Sequence, residues 1–148
     1  MLDDRDLAVR RTTYALFADL GRAPSAAEVA SGSDLESPDV ERSWRRLHDA
    51  HALVLDAQTG AIRMAAPFSA VPTNYLVHAA GRAWYANCAW DAFGICAALH
   101  ADGRIETSCL DCGESLTIDV EDEAPSDPSL LFHCLVPARL WWEDIVFT

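Results

Sequence analysis

The hydrophobic pattern of this chain changes period once, near His51, and that change limits the fold more than any other feature. Before it, apolar residues recur at helical spacing; after it they fall in short, β-branched and aromatic stretches. Residues 6–20 read as a helix with Leu7, Tyr14, Phe17 and Leu20 on one side, closed by Gly21. Ser25 and Glu28 give the reciprocal capping signature of a second, short helix that stops near Ser31-Gly32-Ser33. A third helix starts at Ser37-Pro38-Asp39, with Ser37 as cap and proline at the first position, and carries Val40, Trp44 and Leu47. Leu53-Val54-Leu55 and Ile62-Arg63-Met64, around a turn at 56–60, then predict a hairpin.

Three helices followed by a hairpin is the order of a winged helix. The pattern therefore predicts an α+β chain, with a winged-helix-like unit over residues 1–66 and a β-rich unit over 67–148. Residues 65–72, with Pro67 and Pro72, read as the linker between them. Beyond it, segments 74–79 and 82–85 flank Gly81 as a hairpin, and the alanine-rich stretch 87–99 reads as a helix capped by Asn87. Segments 104–108, 115–120, 130–136 and 145–147 are predicted strands of a mixed or antiparallel sheet, and 121–129 an acidic loop.

At 51% hydrophobic residues the chain can bury a core. No apolar run reaches membrane-spanning length and the start is acidic, so the expectation is a soluble cytoplasmic protein without a membrane partner. A third helix that read DNA would use Arg42, Arg45 and Arg46. The formal charge of −12 argues against a nucleic-acid partner and for a solvated helix face. Residues 67–148 hold 12 acidic and 3 basic side chains, so the acidity lies mostly in the second half.

All five cysteines, at 88, 96, 109, 112 and 134, also lie there. An odd number with no export signal speaks for free thiols. In Asn87-Cys88-Ala89-Trp90-Asp91 the thiol would stand at the first helical position, where amide dipoles favour a thiolate, with the carboxyl of Asp91 on the same face. Such a pair can pass a proton back and forth; a buried cysteine beside a first-turn acid is the plainer alternative. Cys109-Leu110-Asp111-Cys112-Gly113 has the spacing of a metal knuckle, but a closed zinc site needs further ligands, and Cys88, His100 and His133 are the candidates. A redox dithiol or two ordinary cysteines fit the same turn. Cys96 and Cys134 read as core filler in apolar segments, His48, His51 and His78 carry no partner signal, and Trp141-Trp142 can wall an apolar cavity or cover the core.

The run Trp84-Tyr85-Ala86-Asn87-Cys88-Ala89-Trp90-Asp91, behind a hairpin and leading into a helix, resembles the organomercurial (alkylmercury) lyases. The resemblance covers most of the chain. It implies cleavage of a carbon–mercury bond, with Cys88 as attacking thiolate, Asp91 as proton shuttle and no required cofactor. It makes an organomercurial or a soft metal ion the partner, with Hg(II) as the metal of substrate and product. The family has a second catalytic cysteine just before its C-terminal strand, where this chain reads Arg139-Leu140-Trp141-Trp142-Glu143-Asp144-Ile145-Val146-Phe147. Cys109 and Cys112 are the replacement thiols expected from sequence, and with Cys88 they form the expected metal-binding set, for mercury or for zinc. A non-catalytic thiol protein binding zinc, copper or mercury, and a metal-responsive regulator, are the alternatives.

Overall fold

In the computed structural model, which describes residues 1–147, four α-helices pack with one eight-stranded antiparallel sheet. The fold is α+β. Helices α1 (Asp4–Leu20), α2 (Ala26–Ser31) and α3 (Ser37–Asp49) come first. Asp3 and Asp6 form a capping box at the start of α1, and Ser25 and Glu28 another at α2. Gly21 ends α1 at φ 70°, a left-handed conformation that glycine adopts without strain. Ser37 is the first residue of α3 rather than its cap. Glu36 holds the cap position and makes no side-chain hydrogen bond there, so α3 relies on its proline and on packing.

The buried face of α1 is Asp6, Val9, Thr13 and Phe17, whereas Leu7 and Leu20 are largely exposed. Apolar periodicity misplaces this face because two of its members are polar and paired. Thr13 Oγ1 donates to the Val9 carbonyl and accepts from Trp44 Nε1 at 2.9 Å. The Asp6 carboxylate, fully buried, takes three hydrogen bonds of 2.6–3.0 Å from the Arg46 guanidinium. Arg46 holds Asp6 well below the usual carboxylate range, at about 2, against the opposing effect of burial. Two of the three arginines of α3 are thereby engaged within the helical unit, Arg46 with Asp6 and Arg42 with Asp39.

The strands are β1 (Val54–Leu55), β2 (Ile62–Ala65), β3 (Phe68–Ser69), β4 (Leu76–Ala79), β5 (Arg82–Ala86), β6 (Gly103–Ser108), β7 (Ser115–Glu121) and β8 (Ala124–Pro125). Their order across the sheet is β1-β2-β3-β5-β4-β6-β7-β8. The segment expected to be a linker contains β3, which follows the cis Ala66–Pro67 bond and pairs with both β2 and β5. The sheet is continuous for this reason. Phe68 on β3 stacks on Phe17 of α1 at 5.1 Å and leans on Trp84 of β5 at 6.1 Å. Trp84 Nε1 donates to the Phe17 carbonyl at 3.0 Å, so its one polar atom is satisfied in the core.

Helix α4 (Ala89–Leu99) leaves the end of β5 and lies against β4, β5 and β6. Gly103 opens β6 directly beneath it. A Cβ there would sit 2.6 Å from Cys96 Sγ and 2.9 Å from the His78 carbonyl, so only glycine allows this approach. Among the described residues no strand follows β8. Residues 130–136 are irregular, and Ala138–Glu143 form a 3₁₀ helix. The strands expected at 130–136 and 145–147 are absent among the described residues. No described helix is long and apolar enough to cross a membrane.

Candidate functional site

The turn from β5 into α4 places Cys88 and Asp91 together. Cys88 itself caps the helix, in extended backbone at φ −153° and ψ −179°, and its side chain makes no capping hydrogen bond. Asn87, expected as the cap, instead turns its amide to three acceptors. It donates to Asp91 Oδ2 at 2.9 Å, Phe68 O at 3.2 Å and Pro67 O at 3.3 Å. The side chain thus braces the carboxylate against the β3 turn, and its own Oδ1 is buried with no protein partner.

Cys88 is half-buried, and desolvation pushes its thiol upward; the backbone amides of Asp91 and Trp90 pull the other way, while the Asp91 and Cys134 charges add to the rise. The net direction is up, so the helix start does not by itself yield a standing thiolate. Asp91 also lies above the ordinary carboxylate range, raised by burial and restrained by the Asn87 hydrogen bond. A thiol and a carboxyl that both resist charging suit proton exchange better than permanent ionisation.

Both side chains open onto one cavity of about 230 Å³. Its walls come from four segments: His51–Val54 after α3, Met64 and Ala66 at the end of β2, the Cys88 turn, and Trp141, Trp142 and Ile145–Phe147 near the C-terminus. The His51 ring, at a residue with φ 60°, stacks on Trp142 with centroids 4.1 Å apart and planes within 5°. Mostly apolar walls around one thiol and one carboxyl keep water scarce where charge must move. A more open hollow beside His100, Asp102 and Glu123 lies at the other end of α4 and includes neither Cys88 nor Asp91.

The other thiols are dispersed. Cys109 and Cys112 sit side by side on the β6–β7 turn. The amides of Cys112 and Asp111, followed by the Cys112 thiol, lower the Cys109 thiol, and all belong to that turn. Cys96 is buried against Gly103. Among the described residues no three His, Cys, Asp or Glu side chains gather closely enough to hold a metal ion, so the structure does not assemble Cys88, Cys109 and Cys112 into one site. Cys134, read from sequence as core filler in a strand, is exposed on the irregular segment after β8. Its charge acts on Cys88, and the Cys88 charge raises Tyr75 as well, secondary there to burial. Neither neighbour carried a sequence signal, because both approach through tertiary folding.

The helix-capping thiol and the braced carboxyl lie within residues 68–148, which match the family profile described as alkylmercury lyase. The chain belongs to that family. Among solved structures it is similar to the mercury-bound form of MerB2, with 23% sequence identity and a TM-score of 0.67. That match covers 85% of this chain and 60% of the other, so the chain spans well under the full length of MerB2; the likeness is one of fold. No match is found among curated protein sequences.

Proposed function

We propose that this chain cleaves the carbon–mercury bond of organomercurials, with Cys88 as nucleophile and Asp91 as proton donor. The observation that carries the reading is that both groups line the same apolar cavity in a chain of the alkylmercury lyase family. Asp91 takes the thiol proton as the Cys88 sulfur bonds to mercury. The sulfur–mercury bond loads electron density onto the metal and weakens its bond to carbon. Asp91 then returns the proton: the carbon–mercury bond breaks, its electron pair forms the new carbon–hydrogen bond, and hydrocarbon leaves. Mercury(II) stays on sulfur as product, and no redox change or cofactor is involved. The chemistry needs reduced thiols, which suits a cytoplasmic location.

Purified protein incubated with phenylmercury should release benzene, and Cys88→Ser and Asp91→Asn should not. No benzene above the buffer rate from the unmodified chain would discard the reading. A second reading, soft-metal capture without cleavage, is favoured by the lowered Cys109 thiol beside Cys112. In that case mercury or zinc would bind at the β6–β7 turn, and Cys109→Ser/Cys112→Ser would abolish stoichiometric retention.

A further inference from the structure

We propose that Cys109 and Cys112 form a second reactive centre, a redox dithiol that exchanges with small-molecule disulfides and closes as an intramolecular disulfide. It is independent of the lyase reading, which uses Cys88. It bears on the soft-metal reading, because a closed disulfide leaves the turn no thiolate to offer a cation. Three observations carry it. The two cysteines share one hydrogen-bonded turn, in which Gly113 N donates to the Cys109 carbonyl and Cys109 N to the Glu114 carbonyl, both at 2.8 Å. Residues three apart in a tight turn lie within about 7 Å at Cα, the reach of a disulfide, and the Cys112 thiol already donates to the Cys109 sulfur. The turn is also presented to solvent: Cys112 is exposed, and Leu110 between the two thiols is 80% exposed. Finally, its base is fixed while its tip is free. Asn74 Nδ2 donates to the Ser108 carbonyl at 2.8 Å and to Thr107 Oγ1 at 3.1 Å, and Ser108 Oγ donates to Asn74 Oδ1 at 2.7 Å. Gly113, at φ 74°, has no atom within 4 Å of where a Cβ would stand, so the tip has room to adjust as the bond forms.

The two sulfurs have unequal roles. The amides of Cys112 and Asp111 hold the Cys109 thiol below the ordinary range, against the Asp111 charge, which makes Cys109 the attacking thiolate. An acidic, accessible thiol beside a second thiol is the arrangement that oxidation selects. The Cys109 thiolate adds to one sulfur of a small disulfide, whose sulfur–sulfur bond breaks, and one small thiolate leaves. Cys112 gives its proton to solvent, attacks the Cys109 sulfur of the mixed disulfide and expels the second small thiolate. The chain is oxidised by two electrons and the small disulfide is reduced to two thiols. Zinc instead closes its shell with four ligands, and among the described residues no third His, Cys, Asp or Glu side chain joins the pair. Cys134 is exposed as well, but its sulfur donates to the Val136 carbonyl at 2.9 Å, and it serves as an internal control.

The test equilibrates the reduced full chain with glutathione buffers of rising oxidised fraction, alkylates with iodoacetamide and maps the thiols by mass spectrometry. A Cys109–Cys112 disulfide should form in one two-electron step, with neither cysteine linked to Cys88, Cys96 or Cys134. Cys112→Ser should trap glutathione on Cys109, and Cys109→Ser should slow attack at the turn several-fold. Glutathione carried separately by both cysteines, or a turn still reduced in the most oxidising buffer, overturns the proposal. So does zinc that co-purifies on the turn and blocks its oxidation until a chelator removes it. None of these readouts depends on benzene release, so the lyase reading and the redox dithiol stand or fall separately.

Discussion

At the scale of single residues, the site is held in a condition that costs stability. Asp91 is raised above the ordinary carboxylate range by burial, so at neutral pH its ionisation works against the fold. A group with a raised folded-state pKa contributes its full stability below the unfolded value and loses it as pH rises through the folded one. Asp91→Asn should therefore raise the melting temperature at pH 7–8, with the gain vanishing in acid, while turnover falls by about 10²–10⁴-fold. Calorimetry across pH on both forms checks this; an equal or lower melting temperature at neutral pH would show that the buried carboxylate carries no penalty. The raised Cys88 thiol makes a kinetic counterpart. kcat/KM toward phenylmercury should climb with pH through a limb above the ordinary thiol range, and a profile already flat at neutral pH would show a standing thiolate. That Cys88 and Asp91 stand together at the start of α4 was legible in sequence from their spacing. The bracing role of Asn87 was not, because two of its three acceptors, the Pro67 and Phe68 carbonyls, are distant in sequence and only tertiary folding brings them to its amide.

At the scale of elements, the sequence revealed most of the helices and strands and lost those whose pattern was interrupted. β3 is two residues between prolines and gives no period to read. Segment 130–136 is apolar enough for a strand, but it pairs with none of the eight strands and stays irregular. Leu131 and Leu135 remain 95% and 78% exposed in consequence. Two element junctions invite direct tests. The Asp6–Arg46 pair joins α1 to α3, and because Asp6 is depressed to about 2, its contribution is full above the ordinary carboxylate pKa and lost as pH falls from about 4 toward 2. Arg46→Ala should flatten that acid limb and lower stability at pH 7 by about 1–3 kcal/mol, read from urea midpoints. Gly103→Ala should cost about 1–3 kcal/mol by forcing α4 off β6, since the added methyl meets both a sulfur and a backbone oxygen. An unchanged midpoint would mean that α4 shifts freely, and the position of Cys88 with it.

At the scale of the whole molecule, the cavity belongs to no single segment. His51 ends the helical unit, Cys88 leaves the sheet, and Trp142 comes from the far C-terminal stretch, so the site exists only when all three meet. The sequence exposed the tryptophan pair as unusual but not its partner, since a histidine and a tryptophan some ninety positions apart share no local pattern. Their near-parallel stack makes Trp142 both a wall and a latch that holds the C-terminal stretch against residues 51–54. A flat apolar wall beside the thiol should favour a substrate whose carbon group is itself flat and apolar. Phenylmercury gains an aromatic contact that methylmercury cannot make, worth about 0.5–1.5 kcal/mol beyond the area buried. Trp142→Ala should thus lower kcat/KM for phenylmercury about 5- to 10-fold while leaving methylmercury nearly unchanged, whereas Trp142→Phe should keep most of the preference. The loss should appear in KM, because the ring contacts the carbon group before and during cleavage alike and so binds ground and transition states equally. Equal losses on both substrates would instead assign Trp142 to holding the C-terminal stretch closed, with no part in choosing what enters.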